Sequence, residues 1–166
     1  MKVIIIGGVA GGATTAARIR RKDENTEIIL LEKGEYISYA NCGLPYYIGG
    51  VIAERERLFV QTPEVFGQRF NIDVRVNNEV LSIDKENKKV SIKRKSGEIY
   101  EENYDKLLIS TGALPVRPPL EGIDNSGIFT LRNVTDTDQI KSYIEQKDVK
   151  SAVIIGAGFI GLEMAE

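Results

Sequence analysis

The sequence predicts an α/β protein built on a parallel sheet with nucleotide-cradling turns, and three observations predict it. An apolar run, Lys2 to Ile6, passes through a glycine turn, Gly7 to Gly12, into a helical stretch, Ala13 to Arg21. A second apolar run, Glu27 to Leu31, follows and ends in the carboxylate of Glu32. About 150 residues later the order returns: strand-like Ser151 to Ile155, then Gly156-Ala157-Gly158-Phe159-Ile160-Gly161, then a helix from Leu162 to Glu166.

Each element has a physical reason. Short unbroken apolar runs bounded by turns suit parallel strands, which are covered on both faces. A strand, a glycine turn and a helix in that order make an anion cradle, because backbone N–H groups and the helix dipole converge on one point. In the first turn Val9 stands where the dinucleotide fingerprint has its second glycine, whereas Gly156, Gly158 and Gly161 complete the pattern. Glu32, twenty residues after Gly12, is placed to accept hydrogen bonds from ribose hydroxyls. A glycine turn that merely packs helix on strand, with a chance acidic neighbour, is the structural alternative for the first unit.

Composition narrows the function. Net charge is −2 over 166 residues, which argues against nucleic acid or a membrane surface as main partner. One cysteine rules out an internal disulfide, and with no histidine a metal site is not expected. Arg18, Arg20 and Arg21 follow the apolar start rather than precede it, unlike a secretory signal, so the expected location is cytoplasmic.

Along the first helix Gly12, Ala16 and Ile19 form a small stripe expected to face the sheet. Thr14, Arg18 and Arg21 form a second, left to solvent or to a ligand. In the next segment, GEYISYANCGLPYYIGG (34–50), Ser38 and Asn41 are good helix starters and Gly49-Gly50 a stop, so Cys42 should sit in the first turn of a short helix. An isolated cysteine ordinarily reads as a small buried hydrophobe. At a helix N-terminus its thiolate is stabilised and it becomes a nucleophile, the reading favoured here.

A connector from Ala53 leads to a helix near Thr62-Pro63-Glu64, with proline suited to the first turn. Residues 71–104 carry short strand-like runs around Val74, Val80, Leu81, Ile83, Val90 and Ile92, expected to form a small antiparallel excursion. The basic run Lys85 to Lys95 is the solvated face of a hairpin rather than a nucleic-acid site. Tyr104 to Gly112 reads as a buried strand ending in Ser110-Thr111-Gly112. A proline-rich crossing follows, and then a helix from Asp136 to Gln146.

The strings GGVAGG and LLEKGEYISYANCGLPYYIGG resemble the pyridine nucleotide-disulfide oxidoreductases. Within that family the chain is similar to the single-cysteine branch of peroxidases, oxidases and coenzyme A-disulfide reductases; the form S-Y-A-N-C-G-L-P-Y is most like the last, including rhodanese-fused forms. Tyr47 replaces the second cysteine of the dithiol branch.

The resemblance implies a Rossmann-like FAD-binding domain, a parallel sheet with an antiparallel excursion, and then the start of a second Rossmann-like domain for NADH or NADPH. Residues 1–112 would be the first part of the FAD domain, 113–147 a crossing, and 148–166 the opening of the NAD(P) domain, so the chain reads as the first third of an enzyme. FAD would meet Gly7, Gly8, Val9, Ala10, Gly11, Gly12, Glu32, Lys33, Cys42, Val80, Ser110, Thr111, Gly112, Ala113 and Arg132. Val80 reads equally well as a core valine. The second cofactor would meet Gly156, Gly158, Phe159, Ile160 and Gly161.

Cys42 would be the redox residue. Coenzyme A disulfide or persulfide would lie against Thr14, Arg18, Arg21, Ser38 and Asn41, with Phe70 standing where relatives can carry a lysine. Ala10 replaces a histidine of the peroxidases and oxidases. A homodimer is implied at full length. Cysteine sulfenic acid chemistry and a non-catalytic flavin-binding module are the alternative functions.

Overall fold

The computed structural model describes residues 1–166, which divide into two compact units: Met1–Tyr39 with Phe59–Gly112, and Ala40–Leu58 with Ala113–Glu166. In the first unit, β1 (Lys2–Ile6), β2 (Glu27–Leu31), β3 (Asp73–Arg75) and β7 (Lys106–Ile109) form a parallel sheet ordered β3-β2-β1-β7. Ile4 pairs with Ile29 on one side and with Leu107 on the other. Both faces of the central strands are covered, which is why they are apolar after their first residues, Lys2 and Glu27. Val3, Ile5, Ile28 and Leu30 pack with Ala13, Ala16 and Ala17 of α1 (Ala10–Lys22) and Phe66 of α3 (Pro63–Phe70). Ile4, Ile6, Ile29 and Leu31 pack on the opposite face with Val90 and Ile92.

Those two valine and isoleucine side chains come from an antiparallel sheet of β4 (Asn78–Asp84), β5 (Lys89–Arg94) and β6 (Ile99–Asn103). Three expectations are corrected here. The strand around Val74 belongs to the parallel sheet, pairing Leu30 with Val74, rather than to the antiparallel excursion. Strand β7 is not buried: it is an edge of the sheet, and Ile109 is 60% exposed. Helix α1 begins at Ala10 because only Gly7, at φ +100°, needs a left-handed turn; Gly11 and Gly12 already lie in the helix. Thr62 does start α3, its hydroxyl accepting from the Val65 N–H at 3.3 Å, with Pro63 in the first turn.

An ion network ties the two sheets. Glu102 accepts from Lys2 Nζ at 2.7 Å and from Arg75 Nη1 at 2.6 Å, and Arg75 also reaches the Tyr100 hydroxyl. Partial burial works to raise the Glu102 carboxyl, but the two cationic donors outweigh it and hold it below the ordinary 4.5. A carboxylate depressed by folding adds stability above its unfolded value, lost as pH falls through the folded one. Glu102→Gln is therefore expected to destabilise the fold at pH 7 by about 1–2 kcal/mol, for two cations left short of a partner, read as a lower melting temperature. The penalty should shrink as pH falls below the ordinary 4.5 and through the lower folded-state value; a penalty that stays constant over that fall would show that the charge plays no part.

The second unit is helical. Asn41–Gly43 form a 3-10 turn leading into α2 (Leu44–Ile48), and α4 (Val134–Lys147) starts with a reciprocal cap between Asn133 and Asp136. Helix α2 is held to α4 by Lys141 Nζ, which donates to the Tyr47 carbonyl at 3.0 Å and lies over the Tyr47 ring. Arg55 grips Asp138 through two bonds of 2.9 and 2.7 Å. The expected strand at Ser151–Ile155 does not form: a ladder needs a second strand, nothing pairs with these residues, and Val153 is 90% exposed. Helix α5 (Phe159–Ala165) starts three residues earlier than expected, directly after Gly158. No helix is long and apolar enough to cross a membrane.

Candidate active site

At the carboxyl ends of β1, β2 and β7, the first glycine turn is packed from three sides. The Gly7 N–H donates to the Leu31 carbonyl at 2.8 Å, and the Ser110 N–H donates to that of Ile6 at 2.8 Å. A Cβ on Gly7 would run into the Ser110 carbonyl, and one on Gly12 into the carbonyl of Gly7. A Cβ on Gly8 would stand 2.6 Å from Ile37 and 2.8 Å from Leu30. Only glycine lets helix α1 come this close to the tip of β1.

Glu32 braces the turn. Its Oε2 accepts from the Gly8 N–H and its Oε1 from the Gly34 N–H, each at 2.8 Å. An ionised carboxylate has about four lone-pair sites, so both oxygens keep capacity for further donors such as ribose hydroxyls. The Ser38 N–H closes the other side by donating to the Gly8 carbonyl at 3.0 Å. Leu30, Ile37 and the Ser38 backbone were not foreseen as walls of the turn; the only sequence signal for them was their closeness to Glu32.

The turn fits an anion. The first intrahelical bond of α1 is from Ala13 N–H to the Val9 carbonyl, so the N–H groups of Ala10, Gly11 and Gly12 have no acceptor within the helix. Val9 supplies no side-chain cap, and the first turn holds no acidic residue. A pyrophosphate suits such a helix start. The structure thus gathers Gly7 to Gly12, Glu32, Ser110 and Thr111 at one end of the sheet. Lys33 is exposed beyond Glu32, while Val80, partly buried, packs against the cluster that holds Ile4, Ile29 and Ile92 between the sheets.

In the second unit Cys42 is exposed, in the middle of the 3-10 turn. The expected capping does not occur: Ala40 precedes the 3-10 turn, Gly43 precedes α2, and neither start has a side-chain cap. Ser38 is instead in the left-handed region at φ +47°, which takes it out of any helix start. Gly43 is buried, and a Cβ there would lie 3.2 Å from both Ile52 and Leu58, so the turn that presents Cys42 is seated on a packed base. Arg132 Nε donates to the Ala113 carbonyl at 2.5 Å. The second glycine turn repeats only the internal contact of the first: Gly156 has φ +111° and a Cβ on Gly161 would run into the Gly156 carbonyl, whereas a Cβ on Gly156 or Gly158 would meet nothing within 4 Å. Phe159 and Ile160 are exposed.

Thr14, Arg18 and Arg21 form an exposed row on α1, as expected. Arg20, which the sequence marked only as part of the basic cluster after the apolar start, lies off this row and donates to the carbonyls of Phe70 and Asn71 at 2.9 and 2.8 Å.

A parallel sheet with a glycine-lined helix start at its carboxyl edge defines a nucleotide-binding α/β protein of the Rossmann type. The chain belongs to the pyridine nucleotide-disulphide oxidoreductases, a family of enzymes whose model matches residues 1–166. It is 45% identical to the coenzyme A disulfide reductase of Staphylococcus haemolyticus, over 99% of this chain and 37% of that protein. Among solved structures it is similar to reduced CoADR-RHD of Bacillus anthracis, with 56% identity and a TM-score of 0.97 over 99% of this chain and 30% of that one. An NAD-dependent persulfide reductase from A. fulgidus is 43% identical, with a TM-score of 0.94, over 100% of this chain and 31% of that one. The chain thus spans about a third of the length of the proteins it matches.

Proposed function

We propose that the full-length protein is an FAD-dependent NAD(P)H:disulfide oxidoreductase that reduces coenzyme A disulfide or coenzyme A persulfide through Cys42. The observation that carries this reading is the single exposed cysteine on its seated turn, in a chain 45% identical to a coenzyme A disulfide reductase. On this reading residues 1–112 begin the FAD domain, 113–147 cross over, and 148–166 open the NAD(P) domain of a homodimer.

The Gly7–Gly12 turn and the α1 N-terminus hold the FAD pyrophosphate, and Glu32 its ribose; Lys33, Val80, Ser110 to Ala113 and Arg132 line the rest. Gly156, Gly158, Phe159, Ile160 and Gly161 receive NADH or NADPH. Bound FAD supplies a two-electron relay between nicotinamide and sulfur. Cys42 itself attacks one sulfur of the substrate disulfide as a thiolate, forming a mixed disulfide and expelling the other half as a thiolate. Two-electron reduction of that mixed disulfide frees the second thiol and restores Cys42. Thr14, Arg18, Arg21, Ser38 and Asn41 orient the coenzyme A portion.

Ala10 supports a disulfide rather than an oxygen substrate, since a methyl group at the turn offers no proton donor. Purified full-length protein is expected to carry flavin and to oxidise NADH or NADPH faster with coenzyme A disulfide or persulfide than with oxygen or hydrogen peroxide. If either oxidant is turned over faster than both sulfur substrates, the proposal fails.

A further inference from the structure

Five of the ten arginines of this chain have a carboxylate partner, Arg20 and Arg132 donate to backbone carbonyls instead, and the remaining three mark a place with neither. Arg55, Arg57, Arg75, Arg94 and Arg117 each pair with an acidic side chain. Arg18, Arg21 and Arg69 form no ion pair, in a chain with 24 acidic against 22 basic residues. Two of the three share one aromatic ring instead: the guanidinium carbons of Arg21 and Arg69 lie 5.8 and 5.3 Å from the centroid of Phe70. A guanidinium over a ring keeps its hydrogen-bonding edge free while its motion is restricted, which suits it to bidentate capture of phosphate.

The platform is built rather than incidental. Phe70 packs against buried Phe66 with the rings tilted by 53° and their centroids 4.9 Å apart, and Arg20 bonds the carbonyls of Phe70 and Asn71, so the end of α3 is fastened to the last turns of α1. Arg18 stands one helical turn from Arg21 on the exposed face of α1. Two like charges on one ring repel each other, and no carboxylate of the chain relieves them.

We propose that Arg69, together with Arg21, is a specificity-determining clamp for a phosphomonoester dianion of the substrate, with Phe70 as the positioning residue that holds the two guanidiniums ready. The proposal rests on the reading of the substrate as a coenzyme A disulfide, whose adenosine carries such a phosphate. The 2′-phosphate of NADPH has the same chemistry, so the test separates the two sources. The structural alternative is that Arg21 and Arg69 only complement the negative ends of α1 and α3.

The test uses the full-length holoenzyme and the variants Arg69→Ala, Arg69→Lys and Phe70→Leu. For Arg69→Ala, the KM for coenzyme A disulfide is expected to rise about tenfold, the equivalent of about 1.4 kcal/mol of binding, while the KM for dephospho-coenzyme A disulfide stays within about twofold. Arg69→Lys should fall between the two, and Phe70→Leu should show the same split between substrates. Calorimetry with adenosine 3′,5′-bisphosphate as the probe should give the same loss of affinity without any turnover. Equal losses on both disulfides, or none, overturn the clamp. A rise confined to the KM for NADPH overturns it too and gives the arginines to that nucleotide. Absence of coenzyme A disulfide turnover in the unmodified enzyme would count against the proposed function, while the calorimetric result would still decide the clamp.

Discussion

Cys42→Ser in the full-length protein is expected to lower disulfide turnover by roughly a thousandfold or more, the equivalent of about 4 kcal/mol on the barrier. A serine hydroxyl remains protonated near neutral pH and cannot form a mixed disulfide, so the loss falls on chemistry rather than on binding. The exposed site accepts the change without repacking, since Cys42 lies outside the buried base formed by Gly43, Ile52 and Leu58. Two measurements together decide it. Anaerobic mixing with NADH or NADPH should still bleach the flavin, whereas steady-state reduction of coenzyme A disulfide should vanish. Normal disulfide turnover by the serine variant would sink the thiol mechanism and leave Cys42 with a structural part only.

Gly12→Ala is expected to have the largest effect on the scaffold. The new methyl would occupy the space of the Gly7 carbonyl and also stand 3.1 Å from Ile5, both of which are fixed by the sheet. Overpacking of this kind costs about 1–3 kcal/mol or more, and relief requires α1 to move away from β1, which displaces the N–H groups at the helix start. The variant should therefore melt lower and lose flavin on gel filtration. Gly158→Ala is the control, because a Cβ there meets nothing within 4 Å and the backbone, at φ −75°, accepts any residue. Equal flavin retention by the two variants would contradict the assigned role of the first turn.

What was legible in the sequence divides along physical lines. Local rules carried far: Gly7 needed its left-handed turn, Thr62-Pro63 began a helix, and the unbroken apolar runs at Ile4 and Ile29 became the centre of a parallel sheet. The glycine turn, Glu32 and the row of Thr14, Arg18 and Arg21 were readable because their spacing follows helix and strand periods. Features set by distant partners were not. Val74 joins the parallel sheet because β2 offers a free edge, which no local pattern announces. Ile109 is apolar yet exposed at the sheet edge, and Ser151 to Ile155 have the composition of a strand without a partner to pair with. Ser38 looked like a cap but was drawn into the left-handed region, its N–H bonded to Gly8 and its carbonyl accepting from Val60 at 2.8 Å. Arg20 and Phe70 took their meaning only from the packing of α3 against α1.

The order β3-β2-β1-β7 has a consequence for the birth of the protein on the ribosome. The strands β1, β2 and β3 lie within the first 75 residues, but the second neighbour of β1 is not made until Lys106–Ile109 emerge. At roughly 5–20 residues per second, the nascent chain spends several seconds with one flank of Val3 to Ile6 unpaired. During that interval β1 presents an open, wholly apolar edge, the kind of template on which a neighbouring chain can add a strand. The antiparallel β4–β6 sheet is finished just before β7 and brings Val90 and Ile92 onto the same strand. Synthesis rate between Ile83 and Ile109 is then expected to govern how much of the product escapes aggregation, and slow codons in that stretch should lower the yield of soluble protein more than slow codons after Gly112.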